Sequence, residues 1–204
     1  MAEKELIRET EWSREYRLGP DRFSFESKFA KDGLEVTADS IRDSWAQWSP
    51  ADRLSFANAF IVKPTLTPDD QQILEYLMEF SVEPVSATIA FLMPQYHDRA
   101  AAFAFLIERA AAGGPFSGAY FQALERIGDP RAAATLRSRY ESYRNTLAPF
   151  DRQGLHSSLA DYQQCCRALW KLTNSAEYEG ALRELLLHPS DAIRRRSEYL
   201  LARL

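Results

Sequence analysis

Cysteine is nearly absent from this chain. There are two in 204 residues, and they are neighbours, Cys165 and Cys166. Adjacent residues of a helix point about 100° apart, and a bridge between them would distort the backbone, so both are expected to be reduced thiols. A disulfide-stapled fold is excluded. Glycine and proline are scarce too, at eight and ten, which suits long helices joined by short turns better than a sheet protein full of hairpins. The longest apolar stretch, Ala100–Ala112, is broken by Glu108 and Arg109, well short of the roughly 18–20 apolar residues that span a bilayer. Met1–Thr10 is charged throughout and has no apolar h-region, so a cytoplasmic protein with no membrane partner is expected.

The motifs of common chemistry are missing as well. Gly113-Gly114 has no Lys-Ser/Thr after it and makes no phosphate cradle. His97, His156 and His188 lack a Cys or His at zinc spacing and read as solvated turn residues. No local context supports a serine or cysteine nucleophile. The pair Asp69-Asp70 falls in the first turn of an expected helix, where the macrodipole favours negative charge. No catalytic residue, no metal and no cofactor is expected.

What is present is an ordinary globular composition, 46% hydrophobic and 26% charged, punctuated by helix caps. Thr37, Ser49-Pro50-Ala51-Asp52 and Thr67-Pro68-Asp69-Asp70 each place a hydroxyl cap before a helix start, the last two with proline at the first helical position. Further starts are expected at Glu83-Pro84, Asp98, Phe116, Asp129-Pro130, Ser157 or Ser158, Asn174 (a capping box with Glu177) and Ser190. Ala148–Gly154 reads as the longest loop of the second half. About ten helices with short connections predict an all-α fold of antiparallel neighbours over residues 37–204. Residues 1–36 read as a non-repeat arm. Arg22–Glu26 alternates with period two and Asp32-Gly33 signals a turn, which fits a short hairpin. The alternative is an irregular or partly helical extension laying Trp12, Tyr16, Phe23, Phe25 and Phe29 over the first helices.

The chain also repeats itself. Ala123–Leu136 can be laid over Ala168–Leu182 at an offset of about 45 residues, the length of a two-helix repeat. Ile127-Gly128-Asp129-Pro130-Arg131-Ala132, followed by Leu136, resembles the inter-repeat turn of bacterial HEAT-repeat proteins, and His188–Arg195 resembles their intra-repeat turn. The resemblance covers mainly residues 116–204. Arg196 and Ser197 depart from it, standing where the family packs small alanines, and Pro149–Gly154 widens one connection. It implies a short right-handed α-solenoid of stacked antiparallel helix pairs, a class known chiefly for binding macromolecules.

Charge is unevenly spread along this frame. Residues 126–204 hold 13 basic and 9 acidic side chains, against 12 and 20 in residues 1–125. Arg126, Arg131, Arg137, Arg139 and Arg144 cluster around one turn and helix, and Arg194, Arg195, Arg196 and Arg203 lie on the last helix. Stacking would merge them into one basic strip beside Tyr140, Tyr143, Tyr162, Trp170, Tyr178 and Tyr199. Arginine beside tyrosine and tryptophan is the composition of interface hot spots. At least half of these tyrosines are expected to bury their rings instead.

The candidate partner-binding set is therefore Arg126, Arg131, Arg137, Arg139, Tyr140, Tyr143, Tyr162, Trp170, Arg194, Arg195 and Arg196. The expected function is non-catalytic protein binding, by an adaptor, regulatory subunit or immunity-type inhibitor that meets an acidic patch on another protein. Two alternatives follow from the same resemblance. A DNA-repair solenoid would use Asp161, Tyr162 and Trp170 with nearby arginines, and a pI near 5.5 disfavours it. A cofactor lyase or chaperone would have to use Cys165, Cys166 or the histidines.

Overall fold

The computed structural model describes residues 5–19, 22–147 and 156–204. Among these the chain is mostly helical, with eleven α-helices and one small sheet, in two compact units, Met1–His97 and Asp98–Leu204.

The first unit opens with an antiparallel meander, β1 (Glu5–Glu9), β2 (Ser13–Gly19) and β3 (Arg22–Ser27), in that spatial order. The alternation over Arg22–Glu26 is thus a strand, but the hairpin it joins lies upstream, with β2. Asp32-Gly33 makes no hairpin. It ends a four-residue helix, α1 (Lys28–Lys31), where the Asp32 and Leu34 amides both return to the Lys28 carbonyl and Gly33 adopts φ 67°. Glycine supplies that left-handed step without steric cost.

Helices α2 (Ala38–Trp45), α3 (Pro50–Phe60) and α4 (Pro68–Phe80) start where their caps predict. The Thr37, Ser49 and Thr67 hydroxyls accept from the amides three residues on. At Thr67 the bond is reciprocated, because the Asp70 carboxylate accepts from the Thr67 amide at 2.8 Å. The helix expected from Glu83-Pro84 is split into α5 (Val85–Ile89) and a 3-10 segment, Ala90–Gln95. Pro94 has no amide to continue an α ladder.

An aromatic cluster fills this unit. Trp12 stacks on Phe29 at 6.0 Å and meets Phe56 edge-on at 5.1 Å, and Phe56 stacks on Phe60 at 5.3 Å. The segment before residue 37 therefore contributes to the core through Trp12 and Phe29, whereas Phe25 stays 43% exposed. The side chain of Phe23 lies outside the described residues.

The second unit holds α6 (Arg99–Ala112), α7 (Ser117–Ile127), α8 (Ala132–Leu147), α9 (His156–Thr173), α10 (Ala176–Glu184) and α11 (Asp191–Leu201). Asp98 caps α6 through two amides, Gly113 closes it at φ 72°, and Gly128 closes α7 at φ 73°. Asp129 accepts from the Arg131 amide at 2.9 Å. Helix α6 packs on α7 and α8, α9 packs on α7, α8, α10 and α11, and α10 packs on α11.

Two caps differ from expectation. Asn174 forms no capping box. It terminates α9 in the left-handed region at φ 53°, and the N-cap of α10 is Ser175, with no side-chain bond. The Ser190 hydroxyl caps nothing, although Ser190 holds the N-cap position of α11, and its amide donates to His188 Nδ1 at 3.0 Å. The expected loop Ala148–Gly154 lies outside the described residues, and α9 already begins at His156, so Ser157 and Ser158 fall inside its first turn rather than at its cap.

Candidate interaction surface

The residues singled out from the sequence separate into an inner and an outer group. Tyr140, Tyr143 and Tyr162 are inside. Tyr140 stacks on Tyr162 at 5.7 Å and meets Tyr178 edge-on at 5.1 Å, while Tyr143 meets Tyr162 at 6.2 Å. These rings join α8, α9 and α10 and offer almost no contact area outward. Cys165 and Cys166 lie beside them, fully buried, with Cys165 Sγ donating to the Leu136 carbonyl at 3.3 Å. Burial pushes both thiols and the Tyr162 hydroxyl well above their ordinary ranges, so the thiols stay protonated and poorly nucleophilic at neutral pH. Trp170 is half-buried, with Lys171 Nζ 4.9 Å from its ring.

Arg139 and Arg196, on α8 and α11, both act electrostatically on one carboxylate, Asp161 of α9. Asp161 accepts from the Gly118 amide at 2.8 Å, at the N-terminus of α7, where an anion is favoured by free amides and the helix dipole. The backbone comes close to these side chains at two glycines. A Cβ on Gly118 would lie 2.7 Å from Asp161 Oδ1, and one on Gly113 would lie 2.5 Å from the Arg139 guanidinium. One arginine from each set of the sequence thus acts on this carboxylate.

Burial raises the Asp161 pKa from 3.8, opposed by the Gly118 amide and the two guanidinium groups. A carboxyl whose folded pKa is raised contributes stability that is complete below its unfolded pKa and is lost as pH rises through the folded one. Asp161→Asn should therefore gain on the wild-type protein as pH rises from about 4 to about 7, as read by urea unfolding. A constant difference between the two proteins would contradict this account of the carboxyl.

The remaining candidates are outside, and several are already paired. Arg131 forms a bidentate pair with Asp129 and lies over Phe103 at 4.8 Å. Arg194 donates to the His188 and Pro189 carbonyls at 2.8 Å and to Asp191. Arg195 reaches Asp191 at 2.7 Å with 77% of its side chain exposed, a pair that solvent makes weak and easily exchanged. Arg126 and Arg137 are exposed at the end of α7 and on α8. Deeper between α7 and α9, Glu125 pairs with Arg167 at 3.1 Å and accepts from Gln164 at 3.0 Å.

The outer face of α11 and the turn after it add two residues beyond the candidate set. Tyr199 is 53% exposed, and the Arg203 guanidinium carbon lies 3.6 Å from its ring centroid. Their i, i+4 spacing was the signal available in the sequence. Arg195, Arg196, Tyr199 and Arg203 all face outward, while Ile193, Ser197 and Leu200 face inward. Ser197 is buried, and its hydroxyl is satisfied there by accepting from Gln163 Nε2 at 2.7 Å.

Among the described residues no cluster of three or more His, Cys, Asp or Glu side chains is placed to hold a metal ion, and no helix is long and apolar enough to cross a membrane. In comparisons with family models, curated proteins and solved structures, nothing matches this chain.

Proposed function

We propose that the second unit is a non-catalytic protein-binding module, a short right-handed HEAT-like stack that meets an acidic patch on another protein through α11. The observation that carries this reading is the exposed Tyr199–Arg203 stack flanked by Arg195 and Arg196. An aromatic ring held by a guanidinium group presents rigid contact area at little entropic cost, and arginine forks match carboxylates. The helix contacts support the stacked-pair part. Pairs α6/α7, α8/α9 and α10/α11 pack internally, and α7, α9 and α11 pack in succession. Gly128 and Asn174, 46 residues apart, both end their helices in the left-handed region.

The test compares capture of acidic partners from the native host's extract by the wild-type chain, an Arg195→Glu/Arg196→Glu/Tyr199→Ala variant and an Arg137→Glu variant. The triple variant should lose at least tenfold in affinity, as expected when hot-spot residues are removed, and Arg137→Glu far less. Undiminished binding by the triple variant would overturn the assignment of the face. Retention on duplex DNA at about 50 mM salt would point instead to phosphate recognition.

A further inference from the structure

In the first unit, an irregularity in the sheet builds a second site. Strand β1 pairs Glu5 with Arg17 and Leu6 with Tyr16, then skips Ile7 and resumes with Arg8 opposite Glu15 and Glu9 opposite Arg14. An unbroken ladder would set Arg8 against Arg14 and Ile7 against Glu15. The bulge removes that like-charge contact and gives Arg14 the Glu9 carboxylate at 3.1 Å. It also sets Arg8 and Glu15 side by side on one face of the sheet, and re-aiming a side chain is what bulges commonly do beside binding sites.

Arg8 and Glu15 do not neutralise one another. Among the described residues the ion pairs of this sheet join Arg14 to Glu9 and Asp32, Arg17 to Glu5 and Lys28 to Glu9, and none involves Arg8 or Glu15. Both line a groove of about 420 Å³ between the sheet and α3, within the range of small-molecule sites. Between them the groove is mostly apolar. Phe25 and Val62, 43% and 47% exposed, line it with Leu54 and Ala51, and Ser55 and Asn58 add a hydroxyl and an amide. A cation and an anion that are unpaired among the described residues, over a largely apolar floor, are complementary to a small ligand carrying both charges and one apolar side chain.

We infer that this groove binds a free apolar α-amino acid as its zwitterion. Its carboxylate meets Arg8, its ammonium meets Glu15, and its side chain lies against Phe25, Leu54 and Val62. Calorimetric titration of the full chain with L-phenylalanine and L-leucine tests it, against 3-phenylpropanoate, which lacks the ammonium, and 2-phenylethylamine, which lacks the carboxylate. Saturable one-to-one binding of an amino acid is expected. Either single-charge analogue, and either Arg8→Gln or Glu15→Gln, should weaken binding about tenfold, the usual effect of losing one charged hydrogen bond. Leu54→Trp, which fills the groove from the helix side, should abolish binding while leaving the helical circular dichroism unchanged. Absence of saturable heat up to about 10 mM of either amino acid would overturn the inference. So would undiminished affinity in the Arg8→Gln and Glu15→Gln variants.

Discussion

Phe56→Ala is expected to destabilise the first unit by about 3–5 kcal/mol, the range for deleting a buried aromatic ring. Phe56 has no exposed surface and touches five other aromatic rings, those of Trp12, Phe29, Trp45, Trp48 and Phe60, at centroid distances of 5.1 to 6.2 Å. These neighbours come from the chain before β2, from α1, from α2 and its exit, and from α3 itself, so the cavity left by alanine has no single element that can collapse into it. Interior packing at crystal-like density allows little relaxation. Three of the four tryptophans lie in this cluster. Urea unfolding followed by tryptophan fluorescence therefore reads the effect directly, as an earlier midpoint accompanied by altered native emission. A loss below about 1 kcal/mol would mean that the rings are not packed as described.

That cluster also marks where the sequence was legible and where it was not. Thr37, Ser49, Thr67 and Asp98 announce their helices because a capping hydroxyl or carboxylate acts within three residues of itself. The period-two run Arg22–Glu26 announces a strand for the same local reason. The first strand was hidden, because β1 is exposed along its whole length and carries no alternation to read. Trp12 and Phe29 could be placed near the first helices but not inside a core, since a side chain's depth is set by residues distant in sequence.

The interaction surface divides the same way. Arginine and tyrosine enrichment after residue 116 is visible in composition. What separates Tyr140, at 1% exposure, from Tyr199, at 53%, is which helix face meets α9. Asn174 shows a different limit. The spacing of a capping box is also the spacing of a residue that ends one helix just before the next begins, and the left-handed backbone at Asn174 decides in favour of the ending.

The pair Lys63–Asp70 carries the other large expectation. In the sequence, Asp70 reads as a carboxylate in a helix's first turn favoured by the helix dipole, and in the structure its side chain is 1% exposed and that of Lys63 9%. The carboxylate accepts from Lys63 Nζ at 2.7 Å and closes the capping box of α4. The ammonium lies 5.5 and 5.8 Å from the Phe29 and Phe60 rings, beside the same aromatic cluster. Removing one partner of such a pair leaves the other charged, buried and unmatched. Asp70→Ala should therefore cost about 3–5 kcal/mol, whereas replacing both partners with apolar groups costs much less.

The double variant Asp70→Ala/Lys63→Met makes this quantitative. Methionine keeps the aliphatic length of lysine without its charge, so the double variant should recover at least half of the loss, a strongly non-additive cycle. Asp70→Asn should fall between wild type and Asp70→Ala, since its amide oxygen still accepts from the Thr67 amide while the charge is gone. If the losses in the cycle add to within about 0.5 kcal/mol, the two side chains are uncoupled. The stability of α4 would then rest on the Thr67 cap and its apolar face alone.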